Sequence, residues 1–291
     1  MNPLGVHALV WAGDLSPEST RHVISQTKRA GYDLIELSLH GPQLMDLALT
    51  RDLLQEHGLR VGCSRGLTFE ADVSSEDPAV VARGVAMLEE GIAITQAIGG
   101  NYFGGILYGA MAKYHQPCTA AGRRNAVNAV KRVADFAGAR GITLGLEVVN
   151  RYESNLLNTA NQALQLLSEV DKPNVKVHLD TYHMNIEEVD FVQPVLLCGD
   201  QLGYVHIGES HRGYLGSGTI DFGQFFKALA QIDYQGVVTF ESFSSAVVNE
   251  QLSNALAIWR NLWSDGMDLA LHAHAFMAGG LAAARQGVAH R

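Results

Sequence analysis

Short apolar stretches typical of β-strands alternate along this chain with longer stretches of helical periodicity, and the alternation repeats eight times. Such alternation favours parallel strands, because each helix carries the chain back to the start of the next strand. Eight units are the number that closes a barrel of about 250 residues. The sequence therefore predicts an α/β fold, a single (β/α)8 TIM barrel. The predicted strands are residues 6–11, 34–39, 60–65, 101–107, 142–149, 175–180, 204–207 and 237–240.

The competing arrangement is an open doubly wound sheet. Such a sheet would normally carry a glycine-rich GxGxxG turn after its first strand, and residues 11–14, which read WAGD, do not match it. The chain of 291 residues contains no linker, low-complexity tract or internal repeat. We therefore expect one domain over residues 1–291, in which residues 265–291 form a C-terminal helical extension.

Local signals mark where several helices begin. Ser16 precedes Pro17, which suits the first helical position because proline has no N–H group to leave unpaired. Thr159 and Gln162 have the spacing of a capping box, in which side chains and backbone N–H groups satisfy one another. After the last strand, helices are predicted over residues 249–263 and 267–285.

Composition narrows the possible partners. The formal net charge of −9 argues against a nucleic-acid surface, which would be basic. No apolar run approaches the roughly 20 residues of a membrane span, so no membrane association is expected. The three cysteines, Cys63, Cys118 and Cys198, form neither a CxxC pair nor a dense framework. A cytoplasmic location is the expectation that follows.

Four polar residues, each able to bind a metal, stand at the ends of consecutive apolar strands five to eight: Glu147, Asp180, His206 and Glu241. In a barrel, the C-terminal ends of the strands meet at the active-site mouth. Any one of these side chains would ordinarily be a helix cap or an ion-pair partner. Three carboxylates buried together, however, repel unless a cation offsets them. Three oxygen donors and one imidazole suit Mn²⁺, with Co²⁺ or Mg²⁺ possible.

Longer motifs around these residues carry a resemblance. The segments LEVVNRYE, HLDTYHMNIEE, YVHIGESHRGYLG and FESF are similar to those of the D-tagatose 3-epimerase family of ketose 3-epimerases. This family includes the D-psicose (allulose) and L-ribulose 3-epimerases and lies within the xylose isomerase-like TIM barrels. The resemblance extends over nearly the whole chain.

The resemblance implies a role for each matching residue. It implies a Mn²⁺ site, accepting Co²⁺ or Mg²⁺, and an assembly into homodimers or homotetramers. It also implies that two of the metal ligands act as the acid/base pair. The metal ligands would be Glu147, Asp180, His206 and Glu241, the catalytic pair Glu147 and Glu241, and the substrate-binding residues Glu153, His183 and Arg212.

The implied reaction interconverts C3 epimers of free ketoses, as in D-fructose/D-allulose, D-tagatose/D-sorbose and L-ribulose/L-xylulose. A proton leaves C3 and returns to the other face through a metal-stabilised cis-enediolate. Glu147 and Glu241 would act on opposite faces, each as base in one direction and acid in the other. Arg212 would place positive charge beside the enediolate.

Taken singly, the implied substrate-binding residues have simpler interpretations. Glu153 resembles a solvated loop charge, and Arg212 resembles a surface arginine. His183 lies in the predicted loop after Asp180, where a surface or capping histidine is common. His178, two residues before Asp180 on the same strand face, is predicted to be a packed, hydrogen-bonded core histidine, with support of a metal ligand as the alternative.

Three positions depart from the family pattern near the expected C4–C6 end of the sugar. His7 stands where an aromatic residue is common, Arg65 stands at a site that is usually apolar, and Met111 lies where several relatives have tryptophan. These departures leave the preferred ketose open between D-allulose, L-ribulose and D-tagatose.

Other functions remain open from the residues alone. An aldose–ketose or hydroxypyruvate-type isomerase would use much the same ligands. A noncatalytic sugar-binding protein would not need two opposed glutamates. A phosphodiesterase of the endonuclease IV type would need more histidines at strand ends and a basic face, neither of which is evident.

Overall fold

The computed structural model describes residues 2–289. Within them, eight parallel strands close into a barrel in sequence order, with β1 paired to both β2 and β8. The predicted TIM barrel is thereby confirmed. The strands are β1 Leu4–His7, β2 Leu34–Ser38, β3 Arg60–Ser64, β4 Tyr102–Gly105, β5 Thr143–Val148, β6 Val175–Asp180, β7 Leu202–Ile207 and β8 Val238–Phe240.

The helices of the described residues surround the barrel and bury their apolar faces against it. The predicted caps hold: Ser16 accepts a hydrogen bond from the Ser19 N–H group, and Thr159 and Gln162 form a capping box. The helices are α1 Pro17–Arg29, α2 Leu47–His57, α3 Pro78–Ala97, α4 Ala120–Gly138, α5 Ala160–Val170, α6 Thr181–Glu187, α7 Gln193–Cys198, α8 Phe222–Gln231, α9 Glu250–Ala255 and α10 Gly266–Ala289.

The barrel interior contains a layer of buried aromatic and polar side chains. Tyr102 of β4 stacks on Tyr204 of β7 with ring centroids 4.0 Å apart. The Tyr102 hydroxyl lies 3.1 Å from Nδ1 of His178, so His178 is the buried, hydrogen-bonded histidine that the sequence predicts. A Cβ atom at Gly145 would overlap the Tyr102 hydroxyl, which explains glycine in the middle of β5.

The first strand differs from the prediction. The apolar run at residues 6–11 predicts a strand, but β1 ends at His7 and a single 3₁₀ turn, Ala8–Val10, follows. The turn begins where Nδ1 of His7 accepts a hydrogen bond from the Leu9 N–H group, and it closes with a bond from Trp11 N to Ala8 O. The residues of the turn are apolar because the turn is buried, and a buried turn and a buried strand give the same apolar pattern in the sequence.

Two later segments also differ from the prediction. The expected loop after Asp180 is helix α6, because the Asp180 carboxylate caps it by accepting the Tyr182 N–H group. The expected helix over residues 249–263 is limited to α9, since Ala257 takes a left-handed conformation with φ 54° that a helix cannot continue through.

The terminal helix α10 packs against the barrel wall. The Tyr32 hydroxyl donates a hydrogen bond to the Ala270 carbonyl at 2.8 Å, and the ring of Phe276 packs edge-on against Phe222 of α8. Arg285 donates a hydrogen bond to the Asn2 side chain. We propose from these contacts that the extension belongs to the same domain as the barrel. Residues 290–291 of the predicted extension lie outside the described residues.

None of the helices in residues 2–289 combines the length and apolar character that crossing a membrane requires.

Leu269 and Leu271 of α10 provide a matched test of this packing. Leu269 is fully buried, whereas Leu271 is 50% exposed. We expect Leu269→Ala to lower the free energy of unfolding by about 2–5 kcal/mol, because the substitution leaves a cavity. Leu271→Ala should change it by less than about 0.5 kcal/mol. Chemical denaturation followed by circular dichroism measures both, and equal effects would contradict the docking of α10.

Candidate metal centre

Four metal-competent side chains meet at the C-terminal mouth of the barrel. Glu147, Asp180 and His206 lie at or near the ends of β5, β6 and β7, and Glu241 directly follows β8. Asp180 pairs in register with His206, and the Glu241 N–H group extends the β7–β8 pairing by donating to Ile207 O. One donor atom from each of the four lies within 4.8 Å of those of the other three.

His206 is held at one ring nitrogen and left without a partner at the other. Its Nε2 atom lies 2.8 Å from Oε2 of Glu36. Its Nδ1 atom lies 3.4 Å from Oε1 of Glu147 and 3.4 Å from Oε1 of Glu241, and it has no hydrogen-bond partner among residues 2–289. A buried nitrogen without a partner, facing two carboxylates, is what a cation ligand presents. The donor set therefore fits a divalent metal ion.

The charges at this centre shift the acidities of its members. Burial raises the pKa of Asp180, but the Arg212 guanidinium and the nearby histidines outweigh it and hold that pKa well below its usual range. Burial raises the pKa of Glu147, and the charge of Glu241 adds to this effect, while His206 opposes it. Burial alone would lower the pKa of His206, yet Glu241 and Glu36 raise it well above the ordinary value. The centre thus concentrates negative charge that favours a cation.

Arg212 lies between two of the carboxylates instead of standing on the surface. Its Nη1 atom donates to Oδ2 of Asp180 at 3.0 Å and to Oε2 of Glu241 at 2.8 Å. The guanidinium lies over the ring of Tyr182, 3.8 Å from the centroid. The arginine backbone is left-handed, with φ 60°, a conformation that costs free energy outside glycine.

The buried carboxylate of Glu209 stabilises the loop that carries Arg212. It accepts hydrogen bonds from the N–H groups of Ser210 and Gly216, at 2.8 and 2.9 Å. The glycine at Gly208 also matters, because a Cβ atom there would come within 2.6 Å of the Arg212 guanidinium. The loop is thus shaped around the position of this one side chain.

Asn150 links the two remaining predicted substrate-binding residues. Its backbone N–H group donates to Nδ1 of His183 at 3.1 Å, and its side-chain amide donates to Oε1 of Glu153 at 2.9 Å. Because Nδ1 of His183 accepts, the neutral ring carries its hydrogen on Nε2. That atom lies 3.6 Å from Asp180 and 3.9 Å from Glu147. His183 is therefore a buried helix residue beside the centre, not a surface histidine.

A cavity of about 380 Å³ opens at the centre, a size that suits a small organic ligand. Glu153, His183 and Arg212 all line it. One wall is polar and includes Ser38 of β2, His40 just after that strand, and Ser64 of β3. Residues 256–260 and Leu262 also line it, and Trp259 among them is 75% exposed.

The three positions that depart from the family pattern all line this cavity. The Arg65 side chain is buried, and its guanidinium donates to the Met87 carbonyl and pairs with Glu90 at 2.9 Å. The charge at this usually apolar site is therefore already neutralised by α3. His7 is buried between β2 and β8, with Nε2 3.8 Å from Oε1 of Glu36.

Glu36 is the main residue that the sequence reasoning missed. It is fully buried in β2 and contacts His206 across the barrel. Its pKa would be raised by burial, but His206 and His7 hold it well below the usual value. The available signal was a charged residue in the middle of the apolar run LIELSL.

Comparisons with known proteins identify similar chains. The sequence profile of the xylose isomerase-like TIM barrel family matches residues 24–269. An L-ribulose 3-epimerase of Methylomonas sp. (strain DH-1) is 54% identical over 266 residues, 91% of this chain and 93% of the relative. A ketose 3-epimerase of Arthrobacter globiformis is 52% identical over 274 residues, 94% of this chain and 95% of the relative. The crystal structure of a D-allulose 3-epimerase from Methylomonas sp. in complex with D-allulose has a TM-score of 0.94 and 52% identity, over 96% of each chain.

A second group of possible donors overlaps the first, because Glu147 and His206 also lie close to His178. We expect one divalent ion per chain, with Asp180 among its ligands and His178 outside them. Asp180→Asn keeps the oxygen that caps α6 but removes a ligand charge, so Mn²⁺ affinity should fall by at least the roughly 10–100-fold typical of weaker, outer contacts. His178→Gln should lower the affinity by less than about tenfold, a smaller loss than that range.

Isothermal titration calorimetry of the metal-stripped protein with Mn²⁺ measures both variants. A loss of binding in His178→Gln with normal binding in Asp180→Asn would assign the ion to the other grouping.

Proposed function

Because this chain belongs to the ketose 3-epimerase family of xylose isomerase-like TIM barrels, we propose that it is a metal-dependent isomerase that interconverts C3 epimers of free ketoses. One observation carries the proposal: three carboxylates and one imidazole converge at the mouth of a sugar-sized cavity. Epimerisation at C3 needs a proton removed beside the C2 carbonyl group and a proton returned to the opposite face. Two carboxylates on different walls of one cavity meet that need.

Glu147 and Glu241 are the proposed acid/base pair. They belong to β5 and to the end of β8, with β6 and β7 between them, so they approach a bound ketose from different walls. Burial raises the pKa of Glu147 and the neighbouring Glu241 adds to the shift. A bound cation would oppose this shift, because it favours the ionised carboxylate, which is the form that can accept a proton from carbon.

The proposed ion is Mn²⁺, with Co²⁺ or Mg²⁺ as alternatives, since three carboxylates and one imidazole contain no thiolate that would favour zinc. Glu147, Asp180, His206 and Glu241 would hold it. When bound, the ion would supply Lewis-acid stabilisation of the negative charge that develops on the deprotonated ketose.

The proposed substrate-binding residues are Glu153, His183 and Arg212. Each lines the cavity beside the donor cluster. His183 directs its Nε2–H group towards the cluster, because Asn150 occupies its other nitrogen. Arg212 is held over Tyr182 with its guanidinium beside Asp180 and Glu241. Cationic and N–H donors at this position would hold the oxygens of the ketose that become negatively charged.

The proposed substrates are D-fructose/D-allulose, D-tagatose/D-sorbose and L-ribulose/L-xylulose. Similar proteins are named L-ribulose 3-epimerase, ketose 3-epimerase and D-allulose 3-epimerase. The polar wall of Ser38, His40 and Ser64 supports a hydroxyl-rich ligand. Burial lowers the pKa of His40 to about 4, so this histidine is neutral and can hydrogen-bond without charge.

We also propose a homodimer or homotetramer in the cytoplasm. Large apolar side chains are exposed on loops that follow the strands, including Leu44, Tyr152 and Trp259, and an interface between chains would cover such groups. The three cysteines are free, as a reducing compartment would leave them.

Incubation of the Mn²⁺-loaded protein in D₂O with D-fructose, D-tagatose or L-ribulose tests the reaction directly. We expect a new C3 epimer with deuterium at C3, located by NMR, because the second carboxylate returns a proton drawn from solvent. Label at C1 with an aldose product would instead indicate an isomerase, and no exchange in any ketose would indicate sugar binding without catalysis.

Matched carboxamide variants test the acid/base pair in the same assay. Glu147→Gln and Glu241→Gln should each lower kcat by roughly 10²–10⁴-fold, the usual contribution of a positioned acid or base. Glu169→Gln should leave kcat unchanged, since that carboxylate pairs with Arg123 on the surface. Retained activity in Glu241→Gln would remove Glu241 from the pair.

A further inference from the structure

We propose that Glu36 is a positioning residue for the metal centre: it accepts the Nε2–H hydrogen of His206 and so directs the Nδ1 lone pair of that ring at the ion. This inference deepens the proposed function and rests on the metal centre described for it. Glu36 does not line the cavity and is not one of the four donors, so it acts on the centre only through His206.

The contact has the features of a specific hydrogen bond. Oε2 of Glu36 lies 2.8 Å from Nε2 of His206, and both side chains are almost completely buried. The two residues come from β2 and β7, 170 positions apart in the chain. A buried carboxylate is costly unless it is paired and hydrogen-bonded, so its retention inside a barrel strand needs a reason. Orientation of a ligand supplies one.

The hydrogen bond determines which nitrogen of His206 can bind an ion. A neutral imidazole carries one hydrogen, and a carboxylate partner at Nε2 keeps it there. The lone pair is then on Nδ1, which has no hydrogen-bond partner among the described residues and faces Glu147 and Glu241 at 3.4 Å each. Without the acceptor, the hydrogen could move to Nδ1 and block binding.

Glu36 is itself bounded on its other side by His7. Oε1 of Glu36 has no hydrogen-bond partner within residues 2–289, and Nε2 of His7 lies 3.8 Å from it. The Leu9 N–H group donates to Nδ1 of His7, so the neutral ring carries its hydrogen on Nε2, towards Glu36 and Ser64. His7 thus packs beside Glu36 and limits the positions that its carboxylate can take.

Two substitutions separate the proposed role from a merely structural one. Glu36→Leu removes the acceptor, so Mn²⁺ affinity should fall by roughly 10–100-fold, the usual cost of losing a partner of a ligating histidine. Glu36→Gln keeps an oxygen that can accept the Nε2–H hydrogen bond. Its Mn²⁺ affinity should therefore fall by less than about tenfold, a smaller loss than in Glu36→Leu. Tyr32→Phe is the control, because it removes a buried hydrogen bond far from the centre.

Calorimetry with Mn²⁺ on the metal-stripped proteins measures affinity without reference to turnover. Thermal unfolding measured in parallel should show that Tyr32→Phe is less stable than the unaltered protein, while calorimetry should show that its affinity for Mn²⁺ is unchanged. Unchanged Mn²⁺ binding in Glu36→Leu would overturn the proposal. So would a loss in Glu36→Gln as large as that in Glu36→Leu, because the oxygen would then have no orienting effect.

A second measurement needs no substitution and applies even if Glu36→Leu fails to fold. In the Mg²⁺-loaded protein with ¹⁵N-labelled histidine, NMR should find the His206 hydrogen on Nε2, and a hydrogen on Nδ1 would overturn the proposal. These tests distinguish a failure of the proposed metal-centre role of Glu36 from a failure of the proposed epimerase function. If the protein binds Mn²⁺ normally but converts no ketose, the proposed function is wrong and the role of Glu36 stands.

Discussion

The mutual repulsion of three carboxylates buried around one histidine is the constraint on which the structure of this site depends. Glu147, Asp180 and Glu241 lie with donor atoms within 4.8 Å of each other and of His206. Buried anions so close together are unfavourable unless positive charge offsets them. Arg212 supplies part of that charge by bridging two of the three carboxylates. The proposed divalent ion at the same point would account for the rest, and for the nitrogen of His206 that has no hydrogen-bond partner among residues 2–289.

The surrounding structure serves this balance of charge. The left-handed backbone of Arg212, its stacking on Tyr182 and the buried carboxylate of Glu209 all fix one guanidinium beside the cluster. On the far side of the His206 ring, Glu36 accepts a hydrogen bond from Nε2. The four donors, the Arg212 guanidinium beside them and the Glu36 acceptor therefore come from separate elements. Only the closed barrel brings these elements together.

Much of this arrangement could be predicted from the sequence, because parallel-strand topology turns a linear pattern into a spatial one. Strand β6 matches its predicted range, Val175–Asp180, residue for residue. Four polar residues at successive strand ends had to meet once the barrel closed. The failures have local causes: the apolar turn after His7 resembles a strand, and the cap formed by Asp180 makes a helix where a loop was expected. Glu36 was missed because it lies inside β2 and not at a strand end, and its partner His206 is 170 residues away.

The direct test of this account is anomalous X-ray diffraction from crystals grown with Mn²⁺. The account predicts one anomalous peak per chain at the barrel mouth, within bonding distance of Nδ1 of His206 and of carboxylate oxygens from Glu147, Asp180 and Glu241. A peak bonded instead to His178, a peak on Nε2 of His206, or the absence of a peak at this point would contradict it.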